Sequence, residues 1–234
     1  ESGGQVGDSG YIQSQSDEKI NIINTIKENN LNLHLADRIP AKPEDTFRAV
    51  VDGEKRQNTA NNHTATHLLH FALRQVLGTH IEQKGSYVSP GYLRFDFSHY
   101  EKVSKEHLKE VERIVNRLIR ADIHKVEYRD IDIDQAKEMG AMALFGEKYG
   151  NKVRAIQFGD SMELCGGTHA ASTGNLGMIR ITSESAVAAG IRRIEAVTGA
   201  QVEIVLDQVE EQLSAAKEFF DNTPNLLNSI AKMV

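Results

Sequence analysis

The chain has 234 residues, of which 40% are hydrophobic, so it is long enough to bury one large core or two small ones. Its net charge of −6 provides no overall basic surface for nucleic acid, and its single cysteine excludes an internal disulfide framework and is typical of a reducing compartment such as the cytoplasm. No apolar run approaches the roughly 20 residues of a membrane-spanning helix, and the first residues lack the features of a signal peptide, so no membrane partner is expected.

Residues 1–60 are predicted to be mostly β structure. Glycines at positions 3, 4, 7 and 10 punctuate the start, and short alternating stretches follow at 31–35 and 46–51. The pair Asp52-Gly53 is a turn signal. This pattern predicts a small Gly-rich β subdomain, either barrel-like or a sheet of short strands, without βαβ alternation.

Residues 61–199 are predicted to form an α/β core. A helix is expected from about Asn62 to Leu77, ending at Gly78, and a strand at Tyr92–Phe97. A second, amphipathic helix is expected to begin with Ser104 as its N-cap and to reach about Ala121. Further strands are expected at 153–158, 176–182 and 192–198.

Residues 200–234 show an acidic, helical pattern that Pro224 interrupts, and they are predicted to be the start of a C-terminal helical region. The fold class is therefore predicted to be α+β: a small β subdomain, an α/β core and a helical extension. The chain opens without a starting Met and ends in an unfinished helical stretch. It is therefore expected to be a fragment of a longer protein.

Two short motifs about a hundred residues apart supply metal-ligating side chains. His63 and His67 are spaced i, i+4 in the first predicted helix, so both project from one face. Cys165 and His169 lie in a loop where two adjacent glycines let the backbone fold closely around an ion. Three imidazoles and one thiolate are a complete ligand set for a tetrahedral zinc ion. The spacing therefore predicts a zinc site formed by these four residues.

The residues alone leave the role of that zinc open. Zinc peptidases place a Glu beside the first His of the helix as general base, and here that position is Thr64, which argues against peptidase chemistry. A closed set of four ligands is normally structural, whereas a catalytic zinc keeps an open position. The alternative for Cys165 is a buried thiol that binds no metal, although this does not explain the neighbouring glycines and His169.

Several blocks in order resemble the editing domain of alanyl-tRNA synthetases, which is shared with freestanding alanyl-tRNA editing proteins and, more distantly, with threonyl-tRNA synthetase. The two metal motifs, read as Asn62–Leu69 and Glu163–His169, carry the resemblance. Four further blocks agree with it, at 1–8, 94–97, 143–150 and 189–199. The resemblance covers roughly residues 1–200.

The resemblance implies hydrolysis of the ester that joins a wrong amino acid to tRNA(Ala), with serine and glycine as targets. It implies Zn2+ as cofactor, with His63, His67, Cys165 and His169 as ligands, and it assigns Gln83 to a position important for editing. The implied partners are the acceptor end of tRNA(Ala) carrying Ser or Gly, and the aminoacylation and C-terminal domains of a full-length ligase. A freestanding trans-editing deacylase is the alternative.

A separate editing pocket has a physical reason. A synthesis pocket rejects serine or glycine weakly, because a missing methyl or an added hydroxyl changes binding by only about 1–3 kcal/mol, whereas a pocket that hydrogen-bonds the hydroxyl discriminates more strongly. Thr66 and Gln83 are the predicted pocket residues, and for Thr66 a purely packing role is an equal alternative. His70 is the nearest side chain for a general base, with a structural role as the favoured alternative.

Contacts with tRNA phosphates are predicted for Lys84, Arg94, Arg192 and Arg193. Because Arg192 and Arg193 adjoin in a predicted strand, one of them is expected to point away from the site. Three arginines of the second helix are weaker predictions, since a solvated helix face is the favoured explanation for them: Arg113, Arg117 and Arg120.

A rival function of another class is a zinc-stapled tRNA-binding module without catalytic activity. The count of four protein ligands favours it, because such a count closes the coordination shell. A third hypothesis, a general zinc peptidase or esterase, is weakened by Thr64.

Overall fold

The computed structural model describes residues 4–29, 31–143, 149–220, 223 and 225–231. Strands in these ranges are β1 Gly10–Ser14, β2 Lys19–Glu28, β3 Leu31–Ala36, β4 Phe47–Val51, β5 Gln83–Val88, β6 Leu93–Ser98, β7 Val126–Asp132, β8 Lys152–Phe158, β9 Ser161–Leu164, β10 Ile179–Ala188 and β11 Ile191–Thr198. Helices are α1 Gly53–Leu77, α2 Lys105–Arg120, α3 Ile133–Glu138, α4 Ala200–Glu218 and α5 Leu226–Ala231. The fold is a mixed α+β arrangement of antiparallel sheets and helices, as predicted.

The N-terminal strands form an open sheet in the order β3-β2-β1-β4. Within the described residues β3 and β4 do not pair with each other, so the barrel-like form that the sequence suggested is not a closed barrel. Closure needs an inward-facing apolar row on every strand. Strand β3 has none, because all six of its residues are exposed.

Helix α1 begins at Gly53, nine residues earlier than predicted. The pair Asp52-Gly53 is therefore a helix start and not a hairpin turn. Asp52 is the N-cap, and its carboxylate accepts a hydrogen bond of 3.1 Å from the backbone N–H of Lys55. The predicted end is confirmed: the N–H of Gly78, at φ 114°, donates to the carbonyl of Arg74.

The central sheet has the order β10-β11-β6-β5, and α1 and α2 contact it. The core between them includes Leu69 and Leu73 of α1, Phe95 of β6 and Val111 of α2, all fully buried. Ser104 caps α2 as predicted, accepting from the N–H of His107. This packing fixes one face of α1 against the sheet.

The third sheet, β7-β8-β9, brings the second metal motif to α1. Strand β9 contacts α1 and ends at Leu164, directly before Cys165. The chain then runs as a loop to a 3₁₀ helix at Thr173–Leu176, so the strand predicted to begin at 176 begins at Ile179.

The C-terminal region is helical, as predicted, and Pro224 lies outside the described residues. Across the described ranges, no helix is both long enough and apolar enough to cross a membrane.

Candidate metal centre

The four predicted ligands meet in space. Their ligand atoms all lie within 4.8 Å of one another, and all four residues, His63, His67, Cys165 and His169, are buried. The Cys165 sulfur lies 3.4 Å from His63 Nε2 and 3.3 Å from His169 Nε2. The fold has therefore joined two segments that are far apart in the chain.

The glycine in the middle of the second motif allows this approach. A Cβ added at Gly167 would overlap the His63 ring and would come within 2.9 Å of Gln5 Oε1. Any side chain at this position would therefore push the loop away from α1. This agrees with the expectation that the paired glycines let the backbone fold closely around the site.

Arg154 of β8 fixes the same loop from the other side. Its Nη1 donates to the carbonyls of Cys165, at 2.8 Å, and Gly167, at 2.7 Å. Its Nε donates to Glu127 of β7 at 2.7 Å. Together with the hydrogen bond of Arg129, at 2.8 Å, this bond lowers the pKa of Glu127 to about 2. One charged side chain thus ties the metal loop to the third sheet.

Gln5, from the Gly-rich N-terminal stretch, contacts both motifs. Its Oε1 accepts from the backbone N–H of Thr168 at 2.9 Å and from the Thr168 hydroxyl at 3.0 Å. It also lies 2.9 Å from His63 Nδ1. All of these residues are buried or half-buried. A segment predicted only as a β subdomain therefore reaches the metal cluster.

Thr64 supports His169. Its hydroxyl accepts from the backbone N–H of Ala170 at 3.0 Å and lies 3.2 Å from His169 Nδ1. Since His169 Nε2 faces the sulfur of Cys165, the hydroxyl can accept the proton of Nδ1 and leave Nε2 free for an ion. The residue that replaces the peptidase Glu thus orients a ligand.

Glu163 is a buried carboxylate between two histidines of α1. Its Oε1 accepts from His70 Nδ1 at 3.0 Å, and its Oε2 lies 3.5 Å from His67 Nε2. Burial acts to raise the pKa of Glu163, but the His67 and His70 imidazoles outweigh it, and the net pKa is lowered. The carboxylate is therefore held charged beside the cluster.

Burial keeps the ligand histidines neutral. It lowers the pKa of His63 and His169 well below 6.5, with His67 and neighbouring cations acting in the same direction. Burial also lowers the pKa of His67, although Glu163 opposes it. Neutral imidazoles are the form that binds metal. The donor chemistry, the burial and the existing hydrogen bonds to ring nitrogens together fit a bound metal ion.

The two predicted pocket residues bond to different parts of the structure. Thr66 donates its hydroxyl to the carbonyl of Asn62 at 2.9 Å, a bond within the helix. Gln83 is half-buried on β5, and its amide donates to Ser86 at 3.3 Å. Gln83 lines a cavity of about 270 Å³. Among the described residues, Thr66 does not line it. The other lining residues are His70, Arg74, Ile81, Glu82, Met142 and Ala143.

Among the described residues that line this cavity, His70 has a ring nitrogen without a hydrogen-bond partner. With Nδ1 bonded to Glu163, its Nε2 is buried and has no hydrogen-bond partner among the described residues. Buried polar atoms are rarely left unsatisfied. The bare Nε2 is an acceptor beside the cavity that contains Gln83.

A larger cleft of about 690 Å³ lies beside the cluster and is lined by His169. The metal loop from Gly166 to His169 forms one wall. The rest of the lining includes four cationic side chains and two carboxylates: Arg56, Lys125, Arg129 and Arg154 with Glu127 and Asp130. Arg56 also forms an ion pair with Asp8.

The cations predicted to meet tRNA are already engaged in ion pairs. Lys84 pairs with Glu82 at 2.9 Å, and Arg94 approaches Asp96 at 3.7 Å. Arg193 makes two hydrogen bonds with the same Asp96, at 2.7 and 2.8 Å.

Arg192 instead pairs with the buried Glu184, with its Nε at 2.6 Å from the carboxylate, so the two adjacent arginines do engage different partners. On α2, Arg113 is exposed and pairs with Glu110, and Arg117 and Arg120 lie in the last turn.

Sequence reasoning did not assign Gln5, Glu163 or Arg154 to the site, and it treated Thr64 only as the absence of a Glu. A signal was available for two of them. Glu163 stands two residues before the predicted ligand Cys165, and Gln5 lies between the glycines of the opening block.

The family described as "Threonyl and Alanyl tRNA synthetase second additional domain" matches residues 153–195. Over its full length the chain is 57% identical to the alanine–tRNA ligase of Bacteroides thetaiotaomicron, 55% to that of Porphyromonas gingivalis and 51% to that of Cytophaga hutchinsonii. It spans 27% of each of these relatives. The resemblance seen in its motifs is thus confirmed: the chain is similar throughout to the region of alanine–tRNA ligases that carries the second additional domain.

Proposed function

We propose that this chain hydrolyses the ester of tRNA(Ala) mischarged with serine or glycine, as the editing part of an alanine–tRNA ligase. The observation that carries the proposal is the buried cluster of His63, His67, Cys165 and His169, in a chain whose similar proteins are alanine–tRNA ligases. The ion proposed for this cluster is Zn2+, since three imidazoles and a thiolate match its preferences.

When bound, zinc supplies a Lewis acid for the substrate's carbonyl or amino group. The chain's own residues supply recognition. Gln83 offers an amide to the serine hydroxyl, and the bare Nε2 of His70 offers an acceptor to a hydroxyl or a water. Thr66 remains a proposed pocket residue: its hydroxyl donates to the carbonyl of Asn62 within α1 and can still accept a hydrogen bond, with a packing role as the alternative. A pocket that satisfies the hydroxyl favours serine over alanine, which lacks it.

The acceptor end of the tRNA approaches through the larger cleft. The metal loop forms one of its walls, and three of its four cations, Lys125, Arg129 and Arg154, share the carboxylate of Glu127, while Asp130 is the second carboxylate of the lining. A surplus of cations attracts phosphates. Lys84 remains a proposed contact beside Gln83. Arg94, Arg192 and Arg193 would have to exchange their carboxylate partners for phosphates.

The test is deacylation of serylated, glycylated and alanylated tRNA(Ala) by the zinc-loaded chain and by the same protein after chelation. Release of serine and glycine with alanine retained supports the proposal, and chelation should abolish the release. Equal release of all three amino acids, or full activity after complete metal loss, contradicts it.

The second candidate is a zinc-stapled tRNA-binding module. A full set of four protein ligands favours it, because no position is left open for chemistry. Tight binding of uncharged tRNA(Ala) with no release of any amino acid would support this rival. A general peptidase or esterase has less support, because Thr64 bonds to His169 and the backbone in place of a general base.

A further inference from the structure

The Gly-rich stretch at the start of the chain has no role in the proposed chemistry, yet it reaches the metal cluster. Gln5 pairs with Val88 at the edge of β5, and the N–H of Val6 donates to the Val88 carbonyl at 2.9 Å. A Cβ added at Gly4 would overlap the carbonyl of Ser86, and one added at Gly7 would overlap that of Thr25. These two glycines allow the close approach that positions Gln5.

The amide of Gln5 has a defined orientation. A backbone N–H can only donate, so the Gln5 atom that faces the N–H of Thr168 at 2.9 Å must be the carbonyl oxygen. The same oxygen lies 2.9 Å from His63 Nδ1. An oxygen that cannot donate requires a proton on Nδ1, and this leaves the lone pair of His63 on Nε2, the nitrogen that faces Cys165.

His169 differs in this respect. Its Nδ1 faces the hydroxyl of Thr64, which can donate or accept, so the protein by itself leaves both neutral tautomers open there. His63 has only one. Gln5 also accepts hydrogen bonds from the backbone N–H and the hydroxyl of Thr168. Thr168 lies in the loop that carries the ligands Cys165 and His169.

We propose that Gln5 is a positioning residue for the metal: it sets the tautomer of His63 and joins α1, the metal loop and the N-terminal stretch into one preformed site. The Gly-rich stretch is then part of the metal centre, although it contributes no ligand. This inference concerns metal binding alone, so it stands whether or not the chain hydrolyses esters.

The first test measures zinc affinity, by competition with a chromophoric chelator, for the unmodified chain, Gln5→Met and Gln5→Glu. Gln5→Met removes the acceptor at similar volume, and affinity is expected to fall about 10- to 100-fold, the usual cost of losing a partner of a metal-bound histidine. Gln5→Glu retains an acceptor oxygen and is expected to stay within about threefold of the unmodified chain. Gln13→Leu is the matched control, a change on β1 at a residue whose side chain bonds Asp17.

Cobalt substitution supplies a readout that a loss of general stability would not move. The visible absorption of the Co2+ form reports ligand geometry, and Gln5→Met is expected to change its band positions while Gln13→Leu leaves them unchanged. Unchanged affinity and an unchanged cobalt spectrum in Gln5→Met would overturn the proposal.

A third measurement needs no variant and applies even if Gln5→Met fails to fold. Imidazole nitrogen shifts in the zinc-loaded, unmodified chain are expected to show His63 bound through Nε2 with a protonated Nδ1 that exchanges slowly. Coordination of His63 through Nδ1 would overturn the proposal.

Discussion

The metal cluster and the cavity beside Gln83 adjoin the same helix, α1, but they differ in whether the ring nitrogens of their histidines have hydrogen-bond partners. In the cluster, the outward ring nitrogens of His63 and His169 have protein partners in Gln5 and Thr64. Three residues beyond His67, the Nε2 of His70 is buried with no partner among the described residues. Satisfied ligands indicate a site preformed for an ion, while a bare acceptor indicates a place that a substrate completes.

The largest expected effect comes from breaking the cluster. His63→Ala is expected to abolish both zinc binding and deacylation, because it removes a ligand and leaves Gln5 and Cys165 without their partner. Metal content by atomic emission and release of serine from tRNA(Ala) measure the two losses. His107→Ala, an exposed position on α2, is the control and should retain both. Retention of stoichiometric zinc by His63→Ala would show that this residue is not a ligand.

Breaking the cavity should separate activity from metal. Gln83→Leu is expected to lower kcat/KM for serylated tRNA about 10- to 100-fold, the cost of about 1–3 kcal/mol for an unpaired hydroxyl, with zinc content unchanged. Gln13→Leu is the matched control, because Gln13 lies on β1, lines neither the cavity nor the larger cleft, and bonds Asp17 through its side chain. Loss of zinc in Gln83→Leu would mean that the cavity and the cluster are one structural unit.

The neutral state of the buried histidines predicts how stability depends on pH in the metal-free protein. Burial lowers the pKa of His63, His67 and His169 in the fold, whereas in the unfolded chain they titrate near 6.5. Below that pH the unfolded state binds more protons, so stability is complete above about pH 6.5 and is lost as the pH falls. Each histidine contributes a slope of up to about 1.4 kcal/mol per pH unit.

Urea denaturation in the presence of a chelator, from pH 8 to pH 5, measures this slope. His169→Asn should make it shallower, and the surface change His107→Asn should leave it unaltered. A stability that stays constant down to pH 5 would show that the three histidines accept protons without unfolding, and would weaken the case for a preformed site.

The features that the sequence predicted correctly depend on neighbours in the chain. The i, i+4 pair of His63 and His67 needs only a helix. Ser104 caps α2 by accepting a hydrogen bond from the N–H of a residue only three positions later, His107. The start of α1 was wrong because Asp52-Gly53 is compatible with a turn as well as with an N-cap, and only packing beyond Thr59 makes the helix the better choice.

The supporting residues could not be derived from spacing. Gln5 bonds His63 across 58 positions, Glu163 bonds His70 across 93, and Thr64 contacts His169 across 105. The same reason applies to the arginines: Arg193 lies opposite Asp96 only because β11 and β6 pair in that register. Pairing between distant strands decides whether an arginine is free to bind phosphate or already pairs with a carboxylate. A local sequence motif does not contain this information.

The smallest expected effect sharpens the comparison at the surface, between the cleft and α2. Arg129→Ala is expected to weaken tRNA(Ala) binding a few-fold and to reduce the slope of log affinity against log salt by about one, because one phosphate contact is lost. Arg113→Ala is the matched control. Both arginines are exposed, with 77% and 68% of their side chains accessible, and each pairs with one nearby carboxylate.

Fluorescence anisotropy of labelled tRNA(Ala) over a salt series distinguishes the two positions. If the acceptor end enters by the metal loop, only the change at Arg129 alters the slope, since Arg129 lines the cleft and Arg113 is not among its lining residues in the described part of the chain. A larger effect at Arg113 would move the RNA path to the α2 face. That result would leave the metal cluster and its chemistry unchanged. It would, however, require the substrate to reach the cluster from the side of the Gln83 cavity.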